Sequence, residues 1–114
     1  IMRHDAGEVC TPETARRTVN DADVAEVAAF ADRYMPGANG RVRKALVGLY
    51  TMTPDGHFVI DRHPGFSNLV YATGCNGHGF KFAPAIGEVV ADLVMDRSPR
   101  FDLTPFRIDR LLGR

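Results

Sequence analysis

The sequence has no long apolar run, no excess of either charge and few cysteines. No stretch approaches the roughly 20 apolar residues that a membrane-spanning helix needs, and no charged-then-apolar signal pattern opens the chain. The 14 basic residues balance the 14 acidic ones, and neither sign forms a block, which argues against a nucleic-acid-binding surface. We therefore expect a soluble protein that acts on small partners, without membrane or nucleic acid.

The two cysteines, Cys10 and Cys75, match no disulfide or zinc spacing, which favours a reducing compartment, and we expect the cytoplasm. Cys75 and His78 could supply two zinc ligands. Structural zinc sites, however, usually combine two pairs of closely spaced ligands, and only one such pair is present. A nucleophilic Cys75 is a further alternative, without a pattern that orients a histidine on it. We expect no metal site.

The 114 residues suffice for one ordinary domain with a sizeable core. The chain opens on Ile1-Met2 rather than on an initiator methionine, and we interpret it as a piece of a longer protein. It also lacks the G-x-G-x-x-G pattern that grips a dinucleotide.

Two helices are predicted from apolar spacing. In the first, over residues 20–35, an Asn or Asp cap precedes the stripe and Pro36-Gly37 ends it. The second runs over residues 80–96. The first stripe comprises Val24, Val27, Ala28, Ala31 and Tyr34; the second comprises Ile86, Val89, Val90, Leu93 and Val94, with Glu88, Asp92 and Asp96 away from it.

Strands are predicted in three places. Residues 1–9 could form a strand and its turn, before one short helical turn at 11–17. The turn tetrapeptide at 53–56 lies between two apolar segments and predicts a β-hairpin. Residues 68–73 form an almost continuous apolar run, typical of a central strand covered on both faces. Pro99 and Pro105 predict an irregular tail.

Between that strand and the second helix lies a glycine turn, defined here as residues 74–79, in which Gly74, Gly77 and Gly79 are spaced G-x-x-G-x-G. Glycines let a backbone approach a ligand, and the first amides of a helix attract negative charge. The same glycines could simply permit a tight connection. Lys81, between two phenylalanines, either extends to solvent or meets an anion.

Three segments at these spacings resemble one family. YMPGANG (34–40), YTMTPDGHFVID (50–61) and GHGFKF (77–82) resemble the C-terminal part of the monomeric sarcosine oxidase and N-methyl amino acid oxidase branch of FAD-dependent amine oxidoreductases. The resemblance covers nearly the whole chain and implies an α+β fragment of a two-domain enzyme. By this resemblance, residues 1–66 (the hairpin and first helix) belong to the substrate-binding domain, and residues 67–114 (the last strand and helix) to the Rossmann-like FAD-binding domain.

The resemblance also implies roles for individual residues. The glycine turn would face the flavin, with Gly74, Gly77, His78, Gly79 and Phe80 at the cofactor. Lys81 would both contact the cofactor region and pair with the substrate carboxylate. Tyr50 and His4 match active-site residues that shape the substrate pocket.

One departure concerns the cofactor linkage. Sarcosine oxidases of this branch carry a flavin-linking cysteine two residues before the tyrosine that matches Tyr50, and here that position is Gly48. The resemblance therefore implies FAD that is held without a covalent bond. The exact amine, and whether the complete protein is an oxidase or a dehydrogenase, stay open.

Two functions from different classes follow. The first is the C-terminal part of an FAD-dependent enzyme that oxidises the C–N bond of a small secondary or N-methyl amino acid, inactive on its own. The alternative is a non-catalytic binding or assembly domain. The apolar strand and the apolar face of the helix would be left uncovered in the isolated chain. Because free strand edges and exposed apolar surface promote association, we expect the isolated chain to self-associate.

Overall fold

The computed structural model describes residues 2–4 and 7–113 and divides the chain into two compact units, Ile1–Leu49 and Tyr50–Arg114. The two α-helices and two strands found among the described residues give an α+β chain, as expected from the sequence. The division between the units lies upstream of the expected domain boundary at residue 66. That boundary concerns the domains of a complete protein and stays a prediction.

The helix α1 (Asp21–Tyr34) lies in the first unit and confirms the predicted helix. Asn20 caps it through a reciprocal capping box with Asp23, which satisfies two amides that would otherwise have no partner. At the other end, Gly37 adopts a φ of 81°, a conformation that glycine reaches without strain and that stops the helix. Ala31 is the buried point of the predicted stripe, while Tyr34 at its end is exposed.

The opening segment holds no strand within its described residues, 2–4 and 7–9, and the rest of the predicted strand, Ile1, Asp5 and Ala6, lies outside the described residues. The predicted helical turn after it is present, because the amides of Thr14 and Ala15 donate to the carbonyl of Thr11. It ends after that single turn.

The second unit is built on a two-stranded antiparallel sheet, β1 (Val59–Arg62) and β2 (Val70–Thr73). Val59 lies opposite Thr73 and Arg62 opposite Val70. The connection through His63–Pro64–Gly65 closes with the amide of His63 donating to the carbonyl of Leu69 at 2.8 Å. β2 coincides with the predicted strand 68–73, but its second half is exposed, since β1 is its only partner among the described residues. The prediction of a central strand covered on both faces is wrong for this chain.

The predicted hairpin around residues 53–56 does not form. The turn itself is present, with the amide of Gly56 donating to the carbonyl of Thr53 at 3.2 Å. Residues 41–53, all described by the structure, contain no strand. The reason is a competing partner: the backbone of Thr51 and Thr53 bonds to Asn76 in the glycine turn, while β1 pairs with β2.

The helix after the glycine turn is preceded by one 3-10 turn, Phe80–Phe82, and then runs as α2 (Ala83–Val94) with Pro84 in its first turn. Its predicted apolar stripe faces the core: Val89 is buried with Phe58 and Ile60, and Ile86, Val90 and Leu93 pack against them. Val94, which was predicted in the stripe, is exposed. The acidic face also matches the prediction, because its carboxylates pair with arginines: Glu88 with Arg100, Asp92 with Arg97 and Asp96 with Arg62.

The tail forms two more 3-10 turns, Thr104–Phe106 and Ile108–Leu111, which confirms the irregular course that its prolines predicted. Leu103 and Phe106 pack against the core. Within the described residues, no helix combines the length and the apolar character needed to cross a membrane.

The tail is tied to the 53–57 turn by one bidentate ion pair. Arg110 Nε and Nη2 donate to the two carboxylate oxygens of Asp55 at 2.6 and 3.2 Å, and Nη2 also donates to the carbonyl of His57 at 2.9 Å. The Arg110 guanidinium holds the pKa of Asp55 well below its usual range. The pair therefore favours the folded state whenever Asp55 is ionised.

We expect acid to remove this contribution. Because the pKa of Asp55 is lower in the folded than in the unfolded chain, its stabilising contribution is complete above the pKa of the unfolded chain, near 4. The contribution is lost as the pH falls towards and through the pKa of the folded chain. The free energy of unfolding, measured by urea titration from about pH 6 to about pH 2, should therefore fall more steeply for the wild-type chain than for Arg110→Gln. The exposed Arg41→Gln variant is the matched control and should follow the wild type. Equal slopes for wild type and Arg110→Gln would contradict the role of the pair.

Candidate functional site

The glycine turn packs tightly against the chain that precedes β1. A Cβ added at Gly77, where φ is 76°, would lie 2.5 Å from the Tyr50 ring, and one added at Gly74, where φ is 64°, would lie 2.5 Å from a methyl of Thr53. Both positions therefore require glycine for two reasons, the backbone conformation and the close approach. The turn and Tyr50, two of the predicted site elements, are in direct contact.

The third glycine has a different neighbour. A Cβ at Gly79 would lie 2.6 Å from the Cβ of Cys75 and 2.8 Å from its sulfur. Cys75 is half-buried and packs on the core, so its thiol serves here as a small apolar group. No three His, Cys, Asp or Glu side chains gather as metal ligands among the described residues.

At all three positions, neighbouring residues of the chain leave no room for a side chain. This supports the simpler interpretation, in which the glycines permit a tight connection between strand and helix. Amides of the turn are also used internally, since Asn76 donates to the carbonyl of Thr51 and His78 donates to the carbonyl of Cys75. The amide surface that could face a ligand is consequently smaller than the sequence predicted. The role of the remaining amides stays a prediction.

His78 is half-buried beside the core. Its ring lies 5.1 Å from the Phe58 ring, centroid to centroid, and its Nδ1 lies 2.9 Å from the carbonyl oxygen of Asn76. Because a carbonyl oxygen can only accept, Nδ1 is the nitrogen that carries the proton. This contact therefore orients the imidazole and, when the ring is neutral, favours its Nδ1–H tautomer.

Lys81 and Phe80 form the outward side of the 3-10 turn. Phe80 is 95% exposed, and the Lys81 ammonium lies 5.4 Å from the centroid of the Phe82 ring, a cation–π distance. The lysine therefore stays at the surface with its charge available to an anion. Both interpretations of Lys81, solvated or anion-binding, remain compatible with this position.

An open apolar pocket of about 450 Å³ is lined by residues of α2, of the tail and of the segment 56–60. Its walls are mostly aromatic and aliphatic, and His78 forms part of them. Phe58, Phe82, Phe101 and Phe106 are among its lining residues.

Sequence reasoning missed two residues at this site, Asn76 and Thr53. Asn76 is buried, with 3% exposure, and adopts a φ of 49°. An Asn-Gly pair is a known turn signal, because asparagine tolerates this left-handed conformation, so Asn76-Gly77 could have been identified from the sequence. The partner, Thr53, lies 23 positions away, and no local pattern links the two.

The predicted site residues fall into two groups. Tyr50, Gly74, Gly77, His78, Gly79, Phe80 and Lys81 belong to the second unit, where the structure brings Tyr50 and the glycine turn together. His4 and Gly48 belong to the first unit, and their roles stay predictions. Both are exposed, and a Cβ added at Gly48 would meet no atom within 4 Å.

A strand that enters a glycine turn and continues into a helix is an arrangement by which α+β proteins bring their backbone close to a flat or anionic cofactor. Comparison with known families agrees: the chain belongs to the FAD-dependent oxidoreductase family, whose model matches residues 3–93. This confirms the resemblance seen in the sequence.

The similar proteins carry the names of oxidases of sarcosine and of N-methyl-L-tryptophan. The chain is 42% identical over 112 residues to a monomeric sarcosine oxidase from Bacillus sp. strain NS-129, covering 96% of this chain and 29% of that protein. A monomeric sarcosine oxidase from Streptomyces avermitilis is 50% identical over 90 residues, 78% of this chain and 23% of that protein. An N-methyl-L-tryptophan oxidase from Salmonella arizonae is 39% identical over 112 residues, which cover 96% of this chain and 30% of that protein. The chain thus spans less than a third of the length of these relatives.

Proposed function

We propose that the chain is the C-terminal part of an FAD-dependent oxidoreductase that oxidises the C–N bond of a small secondary or N-methyl amino acid. The observation that carries this proposal is the contact between Tyr50 and the glycine turn, with Lys81 exposed in the 3-10 turn that directly follows it. Its support outside the structure is the 42% identity to a monomeric sarcosine oxidase over almost the whole chain.

The outward side of the turn fits a flat ring. Gly77 and Phe80 are exposed there, while the inner side of the turn is filled by Tyr50, Thr53 and Cys75. The turn and its flanks would hold FAD through Gly74, Gly77, His78, Gly79 and Phe80, with Lys81 next to the ring. The chemistry that FAD would supply when bound is acceptance of a hydride from the carbon of the C–N bond, which would leave an imine for water to hydrolyse and a reduced flavin for oxygen or another acceptor to reoxidise.

The chain's own groups would bind and orient the substrate. The Lys81 ammonium provides a point charge for an amino-acid carboxylate. Tyr50, together with His4 of the first unit, would shape the pocket. Positive charge and amide dipoles at this turn would also favour the negative charge that develops on the ring side during the reaction.

The domain assignment is part of the same proposal. Residues 1–66 would belong to the substrate-binding domain and residues 67–114 to the FAD-binding domain of the complete enzyme. The isolated chain is expected to be inactive. Its exposed Phe80 and its two-stranded sheet would favour the alternative, an assembly domain that only binds partners, if no flavin were bound.

A cofactor-linkage experiment tests the proposal. The chain, extended upstream to the start of its reading frame, should show flavin absorption that moves to the supernatant on acid precipitation, because Gly48 offers no side chain for a covalent bond. Gly48→Cys should leave part of the flavin in the precipitate, since a Cβ at this position meets no atom within 4 Å. Gly48→Ala is the matched control, and all of its flavin should move to the supernatant.

Absence of flavin in the extended wild-type protein, even after addition of FAD, would contradict the proposed function and leave the assembly alternative. Flavin that stays in the precipitate of the wild type would contradict only the non-covalent linkage.

A further inference from the structure

Asn76 occupies an unusual position for a polar side chain. Of the polar residues that the structure describes, it alone is buried, with 3% exposure. A buried amide is costly unless its donors and acceptor are satisfied, and satisfied polar networks fix one arrangement of the groups around them. Its partners therefore indicate what it holds in place.

The amide side chain joins two separate segments. Its Oδ1 accepts the backbone N–H of Thr53 at 2.8 Å, and its Nδ2 donates to Thr53 Oγ1 at 3.2 Å and to the carbonyl of Gly74. We call these three hydrogen bonds the Asn76 clip. They tie the segment that begins at Tyr50 to the glycine turn.

The backbone of the same residue extends this connection. The amide of Asn76 donates to the carbonyl of Thr51 at 3.1 Å, and its carbonyl oxygen accepts the Nδ1–H of His78 at 2.9 Å. One residue is thus bonded on one side to the segment carrying Tyr50 and on the other to the imidazole of His78. The Tyr50 ring in turn lies against Gly77, the next residue along the turn.

We propose that Asn76 is a positioning residue for the flavin-facing turn: it selects the Nδ1–H tautomer of His78 and keeps the Tyr50 ring seated on Gly77. The part of the proposal that concerns FAD rests on the proposed function. Asn76 itself would touch neither substrate nor flavin. It acts through His78 and Tyr50.

The chemistry of the position explains why asparagine is required. A φ of 49° is tolerated by asparagine, aspartate and glycine far better than by other residues. Glycine can adopt this backbone conformation without strain but provides no clip, so the side-chain bonds no longer hold the carbonyl of residue 76 against His78. Aspartate would keep the acceptor for the Thr53 amide but would set a carboxylate oxygen against the Gly74 carbonyl. Asn76→Gly and Asn76→Asp therefore remove different parts of the clip without imposing backbone strain.

The first readout needs no flavin. In the chain extended upstream to its natural start and freed of flavin, ¹⁵N-histidine NMR should show His78 with a protonated Nδ1 and an unprotonated Nε2. Asn76→Gly retains the carbonyl but loses the clip that holds it in place, so it should show exchange between the two tautomers of His78, and Asn76→Asp should show less exchange. Leu93→Ala, a core truncation in α2, is the control for general destabilisation and should retain the wild-type signature.

The second readout is the dissociation constant of FAD in the same proteins. Asn76→Gly should weaken FAD binding roughly tenfold, the effect expected when buried hydrogen bonds that orient a binding group are lost. An Nε2–H tautomer in the wild type, an unchanged tautomer in both Asn76 variants, or an equal change in Leu93→Ala would overturn the positioning role. Failure of the wild type to bind FAD would instead overturn the proposed function, while the tautomer would still decide whether Asn76 positions His78.

Discussion

Gly77→Ala should destabilise the second unit by about 3 kcal/mol, because one methyl group incurs two separate costs. The residue adopts a φ of 76°, where a side chain costs roughly 1–2 kcal/mol, and the new Cβ would lie 2.5 Å from the Tyr50 ring, an overpacking worth roughly 1–3 kcal/mol. Urea denaturation of the chain followed by circular dichroism measures this loss. In the extended protein, the same variant should bind FAD much more weakly, because the turn must move to relieve the contact.

Gly87 offers the matched control. It lies in α2, its added Cβ would meet no atom within 4 Å, and its φ is not in the left-handed region. Gly87→Ala should therefore raise the free energy of unfolding by roughly 0.5–1 kcal/mol, through higher helix propensity. A Gly77→Ala variant as stable as Gly87→Ala would show that the contact with Tyr50 does not exist in solution.

A double variant separates the two costs at Gly77. Tyr50→Ala removes the ring that the new methyl would strike but leaves the backbone conformation unchanged. Gly77→Ala should therefore cost less in the Tyr50→Ala background, and the difference measures the ring contact alone. Additive effects would assign the whole cost to the backbone.

Lys81→Met should lower kcat/KM for amino-acid substrates by roughly 10- to 100-fold in the extended enzyme. The expected cause is loss of a charge-assisted contact with the substrate carboxylate, worth about 1.5–3 kcal/mol. Methionine keeps the apolar length of the side chain beside Phe82, so the change is mainly one of charge. The effect should appear chiefly in KM, because a contact made equally in the ground and transition states changes binding rather than kcat.

The specificity of this effect is testable with two controls. Lys44→Met removes an exposed lysine of the first unit and should leave KM unchanged. A secondary amine without a carboxylate should be oxidised equally well by wild type and Lys81→Met. If the variant keeps the wild-type KM for carboxylate substrates, Lys81 is a solvated surface lysine and its proposed role is wrong.

Elements whose sequence signals were local were predicted correctly. The capping box at Asn20 and the Pro36-Gly37 stop define α1, and the stripe from Ile86 to Leu93 defines α2, because both depend on spacing within a few turns of helix. The turn at 53–56 was also predicted. Segments whose structure depends on a pairing partner were not predicted correctly. Residues 41–53 have a strand-like composition, but whether they form a strand depends on which segment lies next to them.

The candidate site shows the same difference. The three glycines of the turn were evident in the sequence, but two interpretations of them remained, and the structure adds a packing reason for each: Tyr50, Thr53 and Cys75 occupy the space that a Cβ would need. Family resemblance identified Tyr50 and Lys81 as candidates, whereas Asn76 was overlooked, although its Asn-Gly pair is a visible turn signal.

By itself, the sequence determined the two helices, the glycine turn and the family, because each depends on residue types at fixed short spacings. The tertiary structure alone decided which strands pair, which face of the turn is filled and which polar residue is buried. Those outcomes depend on contacts between residues far apart in the chain, such as Thr53 with Asn76 and Asp55 with Arg110. Each of those contacts forms only when folding brings two distant segments together, so no local pattern could reveal it.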